Sequence, residues 1–272
     1  MRLSVLLTGF LSLAAAPFAS AVVLFSDNFN TANTADFDAS PTAGRLSGIV
    51  AGTETVLRSW GSQQSIDNNQ LLLPLGVDSG VRFENAAGPF GEANRYNWAG
   101  GTASPAILLA GGFVVSFDWA PVNNTSDNWI SFQVGTVNAD SGNLTDDDYG
   151  ILFRQNGNTE RFDNGLNLGA GGSFLPTAGG VLRRVEITYL FTSFADGATV
   201  NAISRVNGLQ VASDTFTWDS NAGQMFMELG NNDPQNRVDN LTISTVPEPS
   251  LPLLLLGLTA LTLTARRRSV RR

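Results

Sequence analysis

The chain has 272 residues, with 24 acidic against 16 basic side chains and a formal net charge of −8. It has no cysteine, so no disulfide can brace it, and every basic residue is arginine. Histidine is absent too, which removes Ser-His-Asp and Cys-His catalysis and His-ligated zinc or iron.

At the N-terminus Arg2 precedes an apolar run from Leu3 to Ala16, then Pro17 and Ala19-Ser20-Ala21. A charged start, an apolar middle and a small-residue site predict a signal peptide over residues 1–21, cut after Ala21. The alternative is a retained N-terminal anchor. Residues 22–245 then form one domain of 224 residues, long enough for a substantial core. That span holds ten arginines and 23 acidic residues, a net charge of −13. So acidic a body repels phosphate backbones, which argues against nucleic acid as a partner and suits calcium or neutral sugars better.

Within this span Gly, Asn, Asp, Ser and Thr interrupt short runs that alternate with a period of two, the pattern of an antiparallel β protein. The weaker early strands are Val22–Phe29, Thr53–Trp60, Gln70–Leu73, Val81–Glu84 and Ala106–Leu109. Phe113–Trp119 is clear, with Phe113, Val115, Phe117 and Trp119 on one face. Trp129–Gly135 turns Ile130, Phe132 and Val134 inward and leaves Trp129 on the opposite face. Gly150–Gln155 is weaker, and Arg184–Phe191 alternates Val185, Ile187, Tyr189 and Phe191 against polar residues. Ala198–Val206 and Leu209–Trp218 flank Asn207-Gly208, a strong hairpin signal, and Met225–Leu229 and Arg237–Thr245 end the domain. About a dozen strands exceed what one open sheet holds without splitting, so the expected fold is all-β, a two-sheet antiparallel β-sandwich. A jelly roll is the favoured form.

Leu24-Phe25-Ser26-Asp27-Asn28-Phe29 looks like the opening strand of many secreted sandwich domains. Gly111 to Trp119 resembles a core strand of concanavalin A-like lectin/glucanase and laminin-G-type folds, and Arg237 to Ile243 the last strand of several carbohydrate-binding modules. The resemblance implies a structural calcium between the first and last strands, and Asp27 and Asp239 stand where it would need carboxylates. A second oxygen-rich stretch, Asp140 to Asp148, offers Asp146 and Asp148. For both, ordinary turn chemistry is the alternative. A sugar site needs an aromatic plate beside polar groups. Asn94-Arg95-Tyr96-Asn97-Trp98 supplies Trp98, with Tyr96 and Arg95 beside it, although Trp98 could instead plug the end of the sandwich. The Glu-x-Asp-x-Glu spacing of the glucanases that this strand resembles is missing, so no catalytic residues are assigned.

The chain ends with Val246-Pro247-Glu248-Pro249-Ser250, an uncharged run Leu251–Ala265, and an arginine-rich stretch at 266–272. The two prolines hold the motif extended, and Ser250 can cap the helix expected over 251–265. That run spans roughly 22 Å as a helix, against a hydrocarbon core of roughly 30 Å. Arg266, Arg267, Arg268, Arg271 and Arg272 hold the cytoplasmic side and stop transfer. The arrangement resembles the PEP-CTERM sorting signal of Gram-negative bacteria, with a plain stop-transfer anchor as the alternative. The resemblance implies a precursor anchored in the inner membrane, processing by an exosortase, and a destination at the cell surface or beyond. The expected role is non-catalytic binding or organisation of extracellular polysaccharide. The alternatives are a protein-interaction module without sugar specificity and a divergent glycan-cleaving enzyme.

Overall fold

The protein is described by a computed structural model for residues 20–30, 45–46, 55–60, 64–73, 79–89, 91–136, 148–219, 223–232 and 235–247. Val22–Val246 make one compact unit. Most of the signal-peptide segment, Glu248 to Ser250, the apolar run and the arginine tail lie outside the described residues, as does Asp146. Among the described residues no helix is long and apolar enough to cross a membrane.

The strands in chain order are β1 (Val23–Asp27), β2 (Arg45–Leu46), β3 (Thr55–Trp60), β4 (Ser65–Asp67), β5 (Gln70–Leu73), β6 (Ser79–Asn85), β7 (Phe113–Ala120) and β8 (Trp129–Gly135). They continue with β9 (Tyr149–Arg154), β10 (Thr159–Asp163), β11 (Leu166–Ala170), β12 (Arg183–Leu190), β13 (Thr199–Val206), β14 (Leu209–Thr217), β15 (Phe226–Asn231) and β16 (Asn236–Thr245). Among the described residues they form two eight-stranded sheets. Sheet I runs β14-β13-β12-β7-β16-β5-β4, with β1 also paired to β16. Sheet II runs β11-β10-β9-β8-β15-β6-β3-β2. The expected two-sheet antiparallel sandwich is the architecture observed.

The period-two reading explains how the sheets meet. Phe113, Val115, Phe117 and Trp119 of β7 are fully buried, and so are Ile130, Phe132 and Val134 of β8. Val185, Ile187 and Tyr189 of β12 face the same interior. Rings cross the gap between sheets: Phe25 meets Phe83 edge-on at 4.9 Å, and Tyr149 stacks on Phe216 at 5.0 Å. Offset and edge-on pairs of this kind suit the ring quadrupole.

One expected strand is a helix. Ala106–Leu109 lies within α1, Ser104–Ala110, which begins with Pro105 in its first turn and buries only Ile107. Gly111 ends it in the left-handed region at φ 75°, and Gly112 N–H returns to the Ile107 carbonyl at 2.8 Å. A four-residue apolar run carries no period, so proline and glycine at its ends decided the outcome. Among the described residues three hairpins close on left-handed Asn residues: Asn207-Gly208, as expected, Asn164-Gly165 between β10 and β11, and Asn68-Asn69 between β4 and β5. In that second hairpin the ladder shifts register between Arg161 and Phe162, and β11 is an exposed edge strand.

Candidate functional site

One face of a sheet in a two-layer sandwich is normally washed by solvent. On sheet II the outward residues of the central strands are buried instead. Residues directly opposed across a ladder share a face, so Arg58, Arg82, Glu228 and Gln133 form one outward row over β3, β6, β15 and β8. The next row is Trp60, Gly80, Gly230 and Ser131. Glu84 continues the outward positions of β6, and Trp129 those of β8.

The first row is a buried charge network. Arg82 Nε donates to Glu84 Oε1 at 2.6 Å and Arg58 Nη1 to Glu84 Oε2 at 2.7 Å. Gly91 N–H adds a contact to Glu84 Oε2 at 3.3 Å. Arg95 Nη2 donates to Glu228 Oε2 at 2.6 Å, and Gln133 Nε2 to Glu228 Oε1. Arg95 reaches this position because its backbone bridges to Glu84 beside β6. All four carboxylate oxygens thus accept from protein donors. Arginine suits such a role because its fork stays charged and pairs with carboxylates in fixed geometry.

The second row supplies space and aromatic surface. A Cβ on Gly230 would lie 2.6 Å from Ser131 Oγ, 3.6 Å from Trp129 Cζ3 and 3.8 Å from Trp60 Cζ2. The two indoles therefore approach over a bare backbone. A Cβ on Gly80 would lie 2.0 Å from the Leu229 carbonyl oxygen, so the floor admits no side chain there either. Trp60 is 6% exposed while Trp129 is half-buried, so the patch opens towards Trp129. The polar atoms buried on this face without a hydrogen-bond partner among the described residues include Trp60 Nε1, Ser131 Oγ and Gln133 Oε1. An unsatisfied buried polar group is costly, and such groups mark places where a ligand or water completes the bonding.

The residues expected to form a sugar plate separate. Trp98 is fully buried, edge-on to Phe83 at 5.4 Å and to Tyr96 at 5.0 Å, and Tyr96 is buried with it. Its loop is pinned where Trp98 N–H donates to the Met225 carbonyl at 2.8 Å. A polar loop sequence does not expose a ring that can fill the end of a core, so Trp98 is a plug and not a plate. Only Arg95 of that trio reaches the outer face of sheet II. Trp129 was placed on the correct face by its phase, but Trp60 and the two glycines carry no local signal.

Asp27 and Asp239 do approach each other. Burial pushes the Asp239 carboxyl up, and the charges of Asp118 and Asp27 add to the shift. Asp118 lies directly opposite Asp239 in the β7–β16 ladder. Both Asp118 oxygens are engaged, one by Arg184 Nη1 at 3.3 Å and the other by Asn240 Nδ2 at 2.8 Å. Asp27 Oδ1 accepts Phe29 N–H at 2.8 Å, and Asp239 Oδ1 accepts Asn240 N–H at 2.7 Å. Among the described residues no three His, Cys, Asp or Glu side chains are grouped to hold a metal ion. Asp148 is buried, accepts Asp219 N–H at 3.2 Å, and is pushed up to about 7 by burial, with the Asp219 and Asp163 charges adding.

No family model matches the chain, and neither does any curated protein. Among solved structures, a Trypanosoma rangeli sialidase in complex with 2,3-difluorosialic acid aligns with a TM-score of 0.51 at 12% identity, over 84% of this chain and 31% of that one. Domain 4 of AbnA, a GH43 extracellular arabinanase from Geobacillus stearothermophilus solved with arabinotriose, gives 0.45 at 14% identity, over 85% and 95%. The carbohydrate recognition domain of Emp46p gives 0.44 at 10% identity, over 70% and 87%. At these identities the likeness is one of fold alone, and it involves under a third of the sialidase.

Removing the charge shared by Arg58 and Arg82 should be severe. Glu84→Gln is expected to lower the unfolding free energy by about 3–5 kcal/mol, read from urea melts. Asp148 should act in the opposite sense. Its folded value of about 7 lies above the ordinary 3.8, so the native state loses stability as pH rises from about 4 through 7. Asp148→Asn should therefore melt higher than the wild type at pH 8, with the gap closing below pH 4.

Proposed function

We propose that this is an exported, non-catalytic glycan-binding protein whose ligand seats on the outer face of sheet II at Trp129. The observation that carries this reading is the joining of a half-open indole to three unsatisfied polar atoms over a glycine floor. A sugar ring has one apolar C–H face and a rim of hydroxyls. It can lie on the Trp129 indole, and where binding uncovers the buried atoms beside it, its hydroxyls pair with Trp60 Nε1, Ser131 Oγ and Gln133 Oε1. Pockets that combine aromatic surface with a few convergent polar groups are the usual form of a small-ligand site.

Two buried carboxylates, Glu84 and Glu228, stand on the same face, which gives the glycan-cleaving alternative its best argument. Hydrolysis needs one carboxyl as acid and the other as base or nucleophile. Here every oxygen of both is engaged by arginine, glutamine or backbone, so the pair supports the sheet rather than the chemistry. We further infer a jelly roll of concanavalin type, supported by β7 lying beside β16 and β15 lying between β6 and β8.

The destination rests on the two termini. The N-terminal leader and the Pro-Glu-Pro, apolar run and arginine tail support an inner-membrane precursor. An exosortase then releases the domain to the surface, where extracellular polysaccharide is the partner. Trp129→Ala should weaken binding on a glycan array by about tenfold or more, equivalent to about 1.4 kcal/mol, while leaving the melt nearly unchanged. Undiminished binding would remove the site. Mass spectrometry of the exported chain should show loss of the segment after the Pro-Glu-Pro motif, and an intact arginine tail would refute the processing.

A further inference from the structure

A second polar anomaly lies between the sheets, away from the Trp129 face. Arg183 opens β12 directly opposite Trp119, and its side chain points into the core at 1% exposure. Its guanidinium carbon sits 4.7 Å from the centre of the Trp119 ring and 5.2 Å from that of Phe174. Nη2 donates to the Thr177 hydroxyl and, at 3.4 Å, to the Thr177 carbonyl. Nε and Nη1 are buried with no acceptor, and no carboxylate pairs with this arginine among the described residues.

Aromatic faces repay part of the loss of water around a cation, but they offer nothing to the N–H groups in the guanidinium plane. A buried charge ordinarily has a counter-ion as well as its hydrogen bonds. Burial alone already draws Arg183 down to about 10. Phe174 and Thr177 come from residues 171–182, a stretch with no strand pairing of its own. Gly172 N–H holds it to the Val211 carbonyl at 2.6 Å and Gly180 N–H to the Pro121 carbonyl at 2.7 Å. Between these ties Leu175 is 84% exposed. The cover over Arg183 is thus held at its ends and again at Phe174, whose N–H donates to the Gly157 carbonyl at 2.8 Å, while Leu175 is exposed and Pro176 and Thr177 are half-buried.

We propose that Arg183 is the anchor of a second binding site, which takes the carboxylate of an acidic ligand on its unpartnered Nε and Nη1. The planar fork favours a carboxylate over a tetrahedral anion, because two parallel N–H bonds match its two oxygens. Trp119 and Phe174 wall the site, Thr177 holds the third nitrogen, and entry is past the exposed Leu175 and half-buried Pro176. This site does not depend on the one at Trp129, and either can fail alone.

The test titrates the full purified chain with sodium acetate and sodium glucuronate against sodium chloride at matched ionic strength. Glucose and sodium sulfate serve as further controls. The readouts are the melting temperature and tryptophan fluorescence, since Trp119 touches the guanidinium. A saturable rise in melting temperature with glucuronate, with or without acetate, supports the proposal, and acetate separates a general carboxylate site from one that needs the sugar. The response should vanish in Arg183→Met and weaken in Arg183→Lys. No response beyond chloride, a stronger response to sulfate, an equal response to glucose, or a response retained in Arg183→Met overturns it. The wild-type titration decides the matter even if the variants do not fold.

Discussion

Two sheets with no disulfide between them are held face to face by what fills the space between them. In this protein that filling is aromatic. Tyr149 of sheet II meets Tyr189 and Phe216 of sheet I, Phe132 meets Tyr189, and Phe25 meets Phe83. Each ring removes a large apolar area from water and sets its neighbour's orientation through edge and stacking preferences. Chain without cysteine reaches a stable sandwich by this route because β7, β8 and β12 each present an unbroken apolar face.

The interior sets the terms for the exterior. Once Val81 and Phe83 of β6 are committed inward, Arg82 and Glu84 must point the other way. The same logic sends Glu228 outward between Met227 and Leu229. Charges that could have been solvated are instead buried on that face, where they can persist only as a mutually paired group. Arg58, Arg82 and Arg95 gather round two glutamates, and next to them two glycines leave the backbone bare between Trp60 and Trp129. The distinctive chemistry of the molecule therefore sits behind the core, with its placement dictated by the core's alternation.

Much of the fold was readable because alternation is a local property. β7, β8, β12, β13 and β14 fall within a residue or two of where hydrophobic periodicity puts them. Ala106–Leu109 was misread because its apolar run is too short to show a period. The β10–β11 hairpin was missed although Asn164-Gly165 carries the same signal as Asn207-Gly208. Its strands, Thr-Glu-Arg-Phe-Asp and Leu-Asn-Leu-Gly-Ala, bury too little to look like strands. The site was less readable still. Arg95 and Glu228 are separated by 133 residues, and nothing near either announces the other. Trp98 is a candidate plate by its polar neighbours and a candidate plug by its size, and its fate depends on which void the distant chain leaves to be filled.

The far border of sheet II has a consequence of its own. β11 ends the ladder with Leu166 and Leu168 turned to solvent, an arrangement that invites a foreign strand to dock. The slip between Arg161 and Phe162 and the left-handed Gly169 interrupt its run of free amides and carbonyls. An incoming polypeptide would find its hydrogen bonds out of step after two or three residues. Along this border one extra residue thus works against a second copy pairing strand to strand.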